Sequence, residues 1–501
     1  MTVMNSQQGK CQPTKIPYTG KVSARRLDME ITTDNLLSRL REVVGPGQVI
    51  SEGDSLETLS KDFYWYSPVL SRQLRDKRAD AVVRPGTTEE LRAVIVACCR
   101  ASVPIVPRGA GTGNYGQCVP LYGGVVVDLS RFDRILSLDE GVARVQPGAR
   151  LGAIEYGARS LGWELRCMPS TWVKSTIGGF LCGGSGGIGS ITWGGISAQG
   201  NIKSVTLLTC EESPRLIRLD EGDTVKALHT YGTTGVMTEI EMRLAPKVDY
   251  DQLIFASTDW DRLLDWTDAV SRRVDWRKRL VSLFEWPMLS YFKPLKTHMR
   301  IGDGQPHAAF LLLDRAQTEE IIAAATHAGI ECVYCRPLTD PPRPPFITDY
   351  TWNHTTLWAM QSDKEFTYLQ AGFSADFRRQ FAELRRRFPG ELLLHLEWTA
   401  GNPKMRESGG DKNGDSIVVG GIPLVRFKSE ERLAEIIDFC EQIGVFIANP
   451  HTVYLEEGGR HSDIEAKRRL KAEVDPHGLL NPGKMKTYPH NPFRDTSVVS
   501  V

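Results

Sequence analysis

The sequence predicts an α+β protein of two main domains, and three observations carry that prediction. At 501 residues the chain is too long for one ordinary core. Residues 80 to 247 alternate short strand and helix signals around two glycine-rich segments. From about 249 the glycines thin out, while Trp260, Trp266, Trp276 and Trp286 and basic runs such as Arg277-Lys278-Arg279 mark a second unit. A hydrophobic share of 41% with 24% charged residues excludes disorder as the main state. The 61 basic side chains balance 61 acidic ones, so the positive field that draws a protein to phosphate backbones is absent and no nucleic-acid partner is expected.

The elements follow in chain order. The first thirty residues carry Lys10, Lys15, Lys21, Arg25 and Arg26 with no acid before Asp28 and no apolar signal core. They read as a disordered tail, a transit peptide being the alternative, and residues 1–76 as tail and lead-in helix. Asp80 to Arg84 reads as a strand; Thr87 and Glu90 then have capping-box spacing ahead of the stripe Leu91, Val94, Ile95, Cys98, which predicts an amphipathic helix. Strands are expected at 104–107, 124–129, 134–138 and 142–146, and a second helix on Leu151, Ile154, Ala158 and Leu161. Residues 77–248 form this first domain.

Residues 249–440 are expected to form a cap. Strands at 252–257, 280–285, 308–313 and 391–398 interleave with helices at 259–273, 317–328 and 374–388, which predicts an antiparallel sheet covered by helices. The Pro-rich stretch 337–345 reads as a stiff surface loop. Residues 441–485 return to the first domain and 486–501 form a tail. No run of about 18 apolar residues predicts a membrane span. The ten cysteines follow no disulfide framework, which suits a cytoplasmic or organelle-matrix location.

The chemistry sits in the glycine segments. Val106-Pro-Arg-Gly-Ala-Gly-Thr-Gly-Asn114 directly follows a strand, where missing side chains let backbone N–H groups approach a pyrophosphate. Gly111 to Gly116 formally matches GxGxxG, as does Gly184 to Gly189. A Rossmann unit needs a helix beginning at those glycines, and only Gln117 to Gly123 separate Gly116 from the strand at 124, too few for that crossover. From 178 to 200 there are ten glycines in 23 residues, interrupted by Ile177, Phe180, Leu181, Ile188 and Trp193. Such a segment wraps backbone closely about something flat and polar.

The order of Pro107-Arg-Gly-Ala-Gly-Thr-Gly113, Gly124-Val-Val-Val-Asp-Leu-Ser130, Ser175-Thr-Ile-Gly-Gly179 and Thr233-Thr-Gly-Val236 ahead of Glu239-Ile-Glu-Met-Arg-Leu-Ala-Pro246 resembles the FAD-binding domain of the vanillyl-alcohol oxidase and p-cresol methylhydroxylase (PCMH) flavoproteins. Asp475-Pro-His-Gly-Leu-Leu-Asn-Pro-Gly-Lys484 resembles the ending shared by their glycolate oxidase and D-lactate dehydrogenase branch. The resemblance covers about 80 to 247 and 440 to 485. It implies a two-subdomain PCMH-type FAD-binding domain plus the cap. It implies cofactor contacts at Pro107, Arg108, Gly109, Ala110, Gly111, Thr112, Gly113, Pro169, Ser175, Thr176, Gly178, Gly179, Gly186, Gly189 and Val236, with Gly109 to Gly113 on the pyrophosphate and the later glycines beside the isoalloxazine. Relatives with a covalent flavin often carry histidine in the first loop; Thr112 and Asn114 stand there, and noncovalent FAD is expected.

A flavin enzyme that oxidises an alcohol carbon needs a base for the hydroxyl proton and a cation for any substrate carboxylate. His354, set in Tyr350-Thr-Trp-Asn-His-Thr-Thr-Leu-Trp358, is one candidate base. His395 and Glu397, two apart on a strand and so on one face, are a base with its carboxylate or a satisfied polar pair. His451 is the third. Arg336, Arg343 and Arg426 are candidate clamps, each alternatively a solvated charge. Ile301-Gly-Asp-Gly-Gln-Pro-His307 resembles the metal-binding run of the branch but lies far from any acidic-glycine partner, so no metal is expected. The lone pair Cys332 and Cys335 reads as a buried strand end. The helix at 374–388, with Phe377, Phe381, Leu384 and Phe388 on one stripe, is either an ordinary charged-face helix or a peripheral membrane contact.

The leading expectation is an FAD-dependent dehydrogenase or oxidase of a small 2-hydroxy acid resembling D-lactate or glycolate. A polyol or lactone oxidase and a flavin-carrying electron-transfer subunit are the alternatives. Oxygen, a quinone and a cytochrome stay open as electron acceptors, and homo-oligomerisation stays open.

Overall fold

The computed structural model describes residues 33–299, 304–339, 344–401, 415–458 and 463–493. Arg343, the start of the 301–307 run, the first thirty residues and residues 494–501 lie outside them.

Four sheets organise the described residues. In the first, Ala81–Val83, Val125–Asp128 and Ile105–Arg108 pair in parallel, with Val49–Ile50 antiparallel on one edge. The helix Thr88–Arg100 begins as its capping spacing predicts: Thr87 accepts from the Glu90 amide, while the Glu90 carboxylate takes the Gly86 N–H. No helix follows the first glycine loop. The parallel crossover is instead the whole loop 109–124, longer than the stretch from Gln117 to Gly123 alone. The second sheet is antiparallel and contains Ile135–Asp139, Val142–Val145, Val236–Pro246, Ile202–Leu208 and Leu216–Asp220.

The third sheet has eight strands, and every pairing in it is antiparallel. Strict alternation along Lys278–Phe284 explains its two buried faces. Val281 and Leu283 pack under the helices Trp260–Arg272, Thr318–His327, Phe377–Arg387 and Glu430–Gln442, whereas Leu280 and Phe284 join the core shared with the first domain. The expected strand at 391–398 divides at Leu394, whose amide donates to Glu285. Leu392–Leu393 joins a small three-stranded sheet, and His395–Ala400 enters the large one. The large sheet takes its last strand from Phe446–Ala448, beyond the boundary expected at 440.

Cap and first domain are joined by buried charge. Arg279, 3% exposed, meets Glu155 at 2.8 Å, while Arg159 meets Glu164 at 2.6 Å and Tyr250 donates to Glu164 at 2.7 Å. The C-terminal motif returns to the first sheet: Leu480 bridges Ile105, and Asn481 Nδ2 donates to the carbonyls of Gln117 and Tyr231. The glycine loop is thereby gripped from behind.

One surface expectation changes, and of the two readings of the 374–388 helix the charged-face one fits. Cys332 and Cys335 lie on Glu331–Pro337, an edge strand rather than a buried end, with Cys335 exposed. The stripe Phe377, Phe381, Leu384 is buried against the large sheet, and Arg378, Arg379, Arg385 and Arg387 are all in ion pairs, so this helix has no apolar face to offer a membrane. Among the described residues no helix is long and apolar enough to cross a membrane.

Candidate active site

A cavity of about 540 Å3 opens between the glycine loops and the large sheet. On one side lies the turn after Ile105–Arg108. None of the N–H groups from Ala110 to Asn114 is taken by another backbone carbonyl among the described residues, so they form a donor cradle suited to phosphate oxygens. The two loops cross too closely for side chains. A Cβ on Gly109 would stand 2.2 Å from Thr176 Oγ1, and one on Gly178 2.6 Å from Pro147. Thr112 and Ser175 join them through a 2.8 Å hydroxyl pair. Arg108 supports the turn from below, donating to the Lys61 carbonyl at 2.7 Å. This glycine cradle, with its unused amides, fits a dinucleotide pyrophosphate.

The opposite wall is flat. Ala371 pairs with Gly421 and Gly372 with Gly420, and all four line the cavity, so two strands present bare backbone where a planar ring can lie. Trp352, Leu357, Phe373 and Ile422 add apolar surface, and Asp62, Phe63 and Tyr66 enter from the lead-in segment.

Of the expected cofactor contacts, Pro107 through Gly113, Pro169, Ser175, Thr176, Gly178, Gly179 and Gly186 line the cavity. Gly189 and Val236 do not. Gly189 has φ 96° and a Cβ there would stand 2.0 Å from the Arg166 carbonyl, so backbone packing explains it; Val236 is buried between the lining residues Gly235 and Met237.

The candidate bases separate. His354 is the only histidine lining the cavity among the described residues. Burial, and secondarily the Lys174 charge, depress its pKa to about 4, so the ring is neutral. Glu397 also lines the cavity, but three donors occupy it: Oε1 takes the Trp352 amide and His395 Nε2, both at 2.9 Å, and Oε2 takes Ser282 Oγ at 2.6 Å. Trp352 has φ 51°, an uncommon conformation for a side chain of that bulk, directly before the helix Asn353–Ser362 that carries His354. Glu397 therefore fixes the turn that aims His354. His395 is fully buried, stacked on Phe284 at 4.7 Å, and lies behind the carboxylate rather than in the cavity wall.

His451 is a fastener. Its Nδ1 accepts from Ser67 Oγ at 2.8 Å and its Nε2 donates to the Tyr368 carbonyl at 2.9 Å, which joins the lead-in helix to the cap; burial holds its pKa at about 4. Arg336 is exposed on the edge strand, over the Tyr334 ring and outside the cavity, and Arg426 pairs with Asp363. Neither is placed to clamp a substrate. His307 accepts the Trp286 amide and packs on Trp260, a structural site at the start of a strand. No group of metal-ligating side chains is present among the described residues.

Sequence reasoning missed Asp62, Phe63, Tyr66 and the facing Ala371-Gly372 and Gly420-Gly421 pairs. Adjacent glycines late in a cap strand were the available signal for the last.

Residues 79–214 match the family described as FAD binding domain. The glycolate oxidase subunit GlcD of Bacillus subtilis (strain 168) is 25% identical over 441 residues, covering 81% of this chain and 88% of that protein. D-2-hydroxyglutarate dehydrogenase of Stutzerimonas stutzeri (strain A1501) is 26% identical over 490 residues, covering 91% and 99%. A solved structure of alkyldihydroxyacetonephosphate synthase superposes with a TM-score of 0.67 at 15% identity, covering 91% of this chain and 86% of that one, a likeness of fold.

Proposed function

Starting from a chain that is an FAD-dependent oxidoreductase of the family holding glycolate oxidase and hydroxy-acid dehydrogenases, we propose that it oxidises the CH–OH group of a small 2-hydroxy acid. The observation that carries this reading is a neutral histidine, His354, facing a cavity whose far side is built for a dinucleotide. FAD bound there supplies the hydride acceptor. An imidazole nitrogen of His354 takes the hydroxyl proton as the carbon gives up its hydride, leaving a 2-oxo acid. The strained Trp352 turn, tied to Glu397, keeps the imidazole in place.

The first two sheets are read as the two lobes of the FAD-binding domain, with the pyrophosphate between them. The cofactor is held noncovalently. Cys182 lines the cavity, but burial pushes its thiol up to about 12, far from the thiolate that attachment would require.

The test is anaerobic single-turnover reduction of the bound flavin. His354→Gln should slow it by about 100-fold or more while FAD content stays that of the wild type. A variant that reduces at the wild-type rate would remove His354 from the mechanism.

A further inference from the structure

The lead-in segment contributes a carboxylate to the cavity. Asp62 begins the run Asp-Phe-Tyr-Trp-Tyr66, and two backbone contacts fix it: the Phe63 amide donates to the Gly113 carbonyl at 2.7 Å, and the Tyr64 amide donates to Asp62 Oδ1 at 3.0 Å. The side chain is 4% exposed and lines the cavity, yet no donor stands in hydrogen-bond geometry to Oδ2, the Cys118 amide lying near the carboxylate without closing a bond. A buried carboxylate oxygen left without a donor costs about 1–3 kcal/mol or more, so such an atom at a cavity wall reads as an acceptor awaiting a ligand. Burial pushes the Asp62 pKa up to about 6, against the nearby charges of Lys484 and Arg108 and the amides of Tyr64 and Cys118. Lys484 is itself fully buried and donates to the Gly116 carbonyl, which anchors this corner to the C-terminal motif.

Position and charge select the ligand group. Asp62 stands beside Gly113, at the end of the amide cradle, where the chain runs on through Asn114 to Tyr115, which contacts Gln370 of the cap. A dinucleotide with its pyrophosphate on the cradle and its ring on the flat cap wall passes this point with the linker between them. A phosphate offers Oδ2 only acceptor oxygens, whereas a hydroxyl can donate to it.

Resting on the reading that FAD occupies the cavity, we propose that Asp62 is a cofactor-binding residue whose free oxygen accepts a hydrogen bond from a hydroxyl of the FAD ribityl chain. A charge-assisted bond of this kind is worth about 10- to 100-fold in affinity.

The test uses apoprotein titrated with FAD, and with FAD analogues lacking the 2′, 3′ or 4′ ribityl hydroxyl, followed by quenching of flavin fluorescence. Asp62→Ala should weaken FAD binding about 10- to 100-fold, and Asp62→Asn, which keeps an acceptor, should weaken it less. One deoxy analogue should lose the same factor on the wild type and nothing further on Asp62→Ala. Thermal melts of the apo variants establish that each is folded. Unchanged FAD affinity in Asp62→Ala, or analogue losses equal on wild type and variant, would overturn the contact. Wild-type apoprotein that takes up no FAD would overturn the cofactor reading itself, a distinct outcome.

Discussion

Replacing Gly109 with alanine tests the crossing of the two loops. The new methyl would stand 2.2 Å from Thr176 Oγ1 and 3.4 Å from Gly179 Cα. An ordinary carbon–oxygen contact needs roughly 1 Å more, so either the loops part or Thr176 turns away. Parting the loops is overpacking, at about 1–3 kcal/mol, and spreads the amide cradle. Turning Thr176 sacrifices its acceptance of the Gly179 amide at the start of the helix Ile177–Gly183, a cap worth about 1 kcal/mol. Parting the loops predicts a loss of about 2 kcal/mol in FAD binding, roughly 30-fold, and turning Thr176 a loss of about 1 kcal/mol, roughly 5-fold. Thr176→Ala alone should cost about 1 kcal/mol. Because it deletes the colliding atom, the double variant should bind FAD about as Thr176→Ala does, a coupling of about 1–2 kcal/mol. The assay is fluorescence titration of the apoproteins. Wild-type affinity in Gly109→Ala, or strictly additive losses in the double variant, would refute the geometry.

The remaining predictions concern the frame. Arg279→Met would leave Glu155 and Glu164 buried without their cap-side cation, and should lower the urea-unfolding free energy by about 3–5 kcal/mol. Glu397→Gln presents a donor where three donors converge. It should slow flavin reduction about 10-fold at unchanged FAD content, the effect reaching His354 through the Trp352 turn. The fold should lose stability in mild acid. His451 has a folded pKa of about 4, below its unfolded value near 6.5, so the unfolded chain binds the extra proton first. The resulting stability, up to about 3 kcal/mol, is fully present above pH ~6.5 and lost as the pH falls through about 4. Urea midpoints measured from pH 7 to pH 4 should decline, and less steeply in His451→Asn.

The glycine loops were legible because their requirement is local. A backbone that must approach phosphate, or another backbone, at the closeness of Gly109 and Thr176 declares itself as glycine in the sequence. The cap helices and strands were legible from period alone, as Val281 and Leu283 against Leu280 and Phe284 show. What faces the cavity was not. His395 and Glu397 share a face by the two-residue period, yet their positions along the strand leave one in the core and put the other at the cavity. The flat wall needs Ala371-Gly372 to find Gly420-Gly421, a register set by the order of eight strands. Asp62 carries no motif, and its place follows from a lead-in segment folding back over the loop. His451, in its Asn-Pro-His-Thr run, joins two elements, because both ring nitrogens already have partners.

The most direct measurement is an anaerobic titration of the purified yellow protein with D- and L-2-hydroxy acids, followed by the flavin absorption bands. The account predicts that one acid bleaches the flavin without any added partner, and that denaturation releases the flavin into the filtrate. A protein whose flavin no hydroxy acid reduces, but which a polyol or a partner protein does, would contradict it.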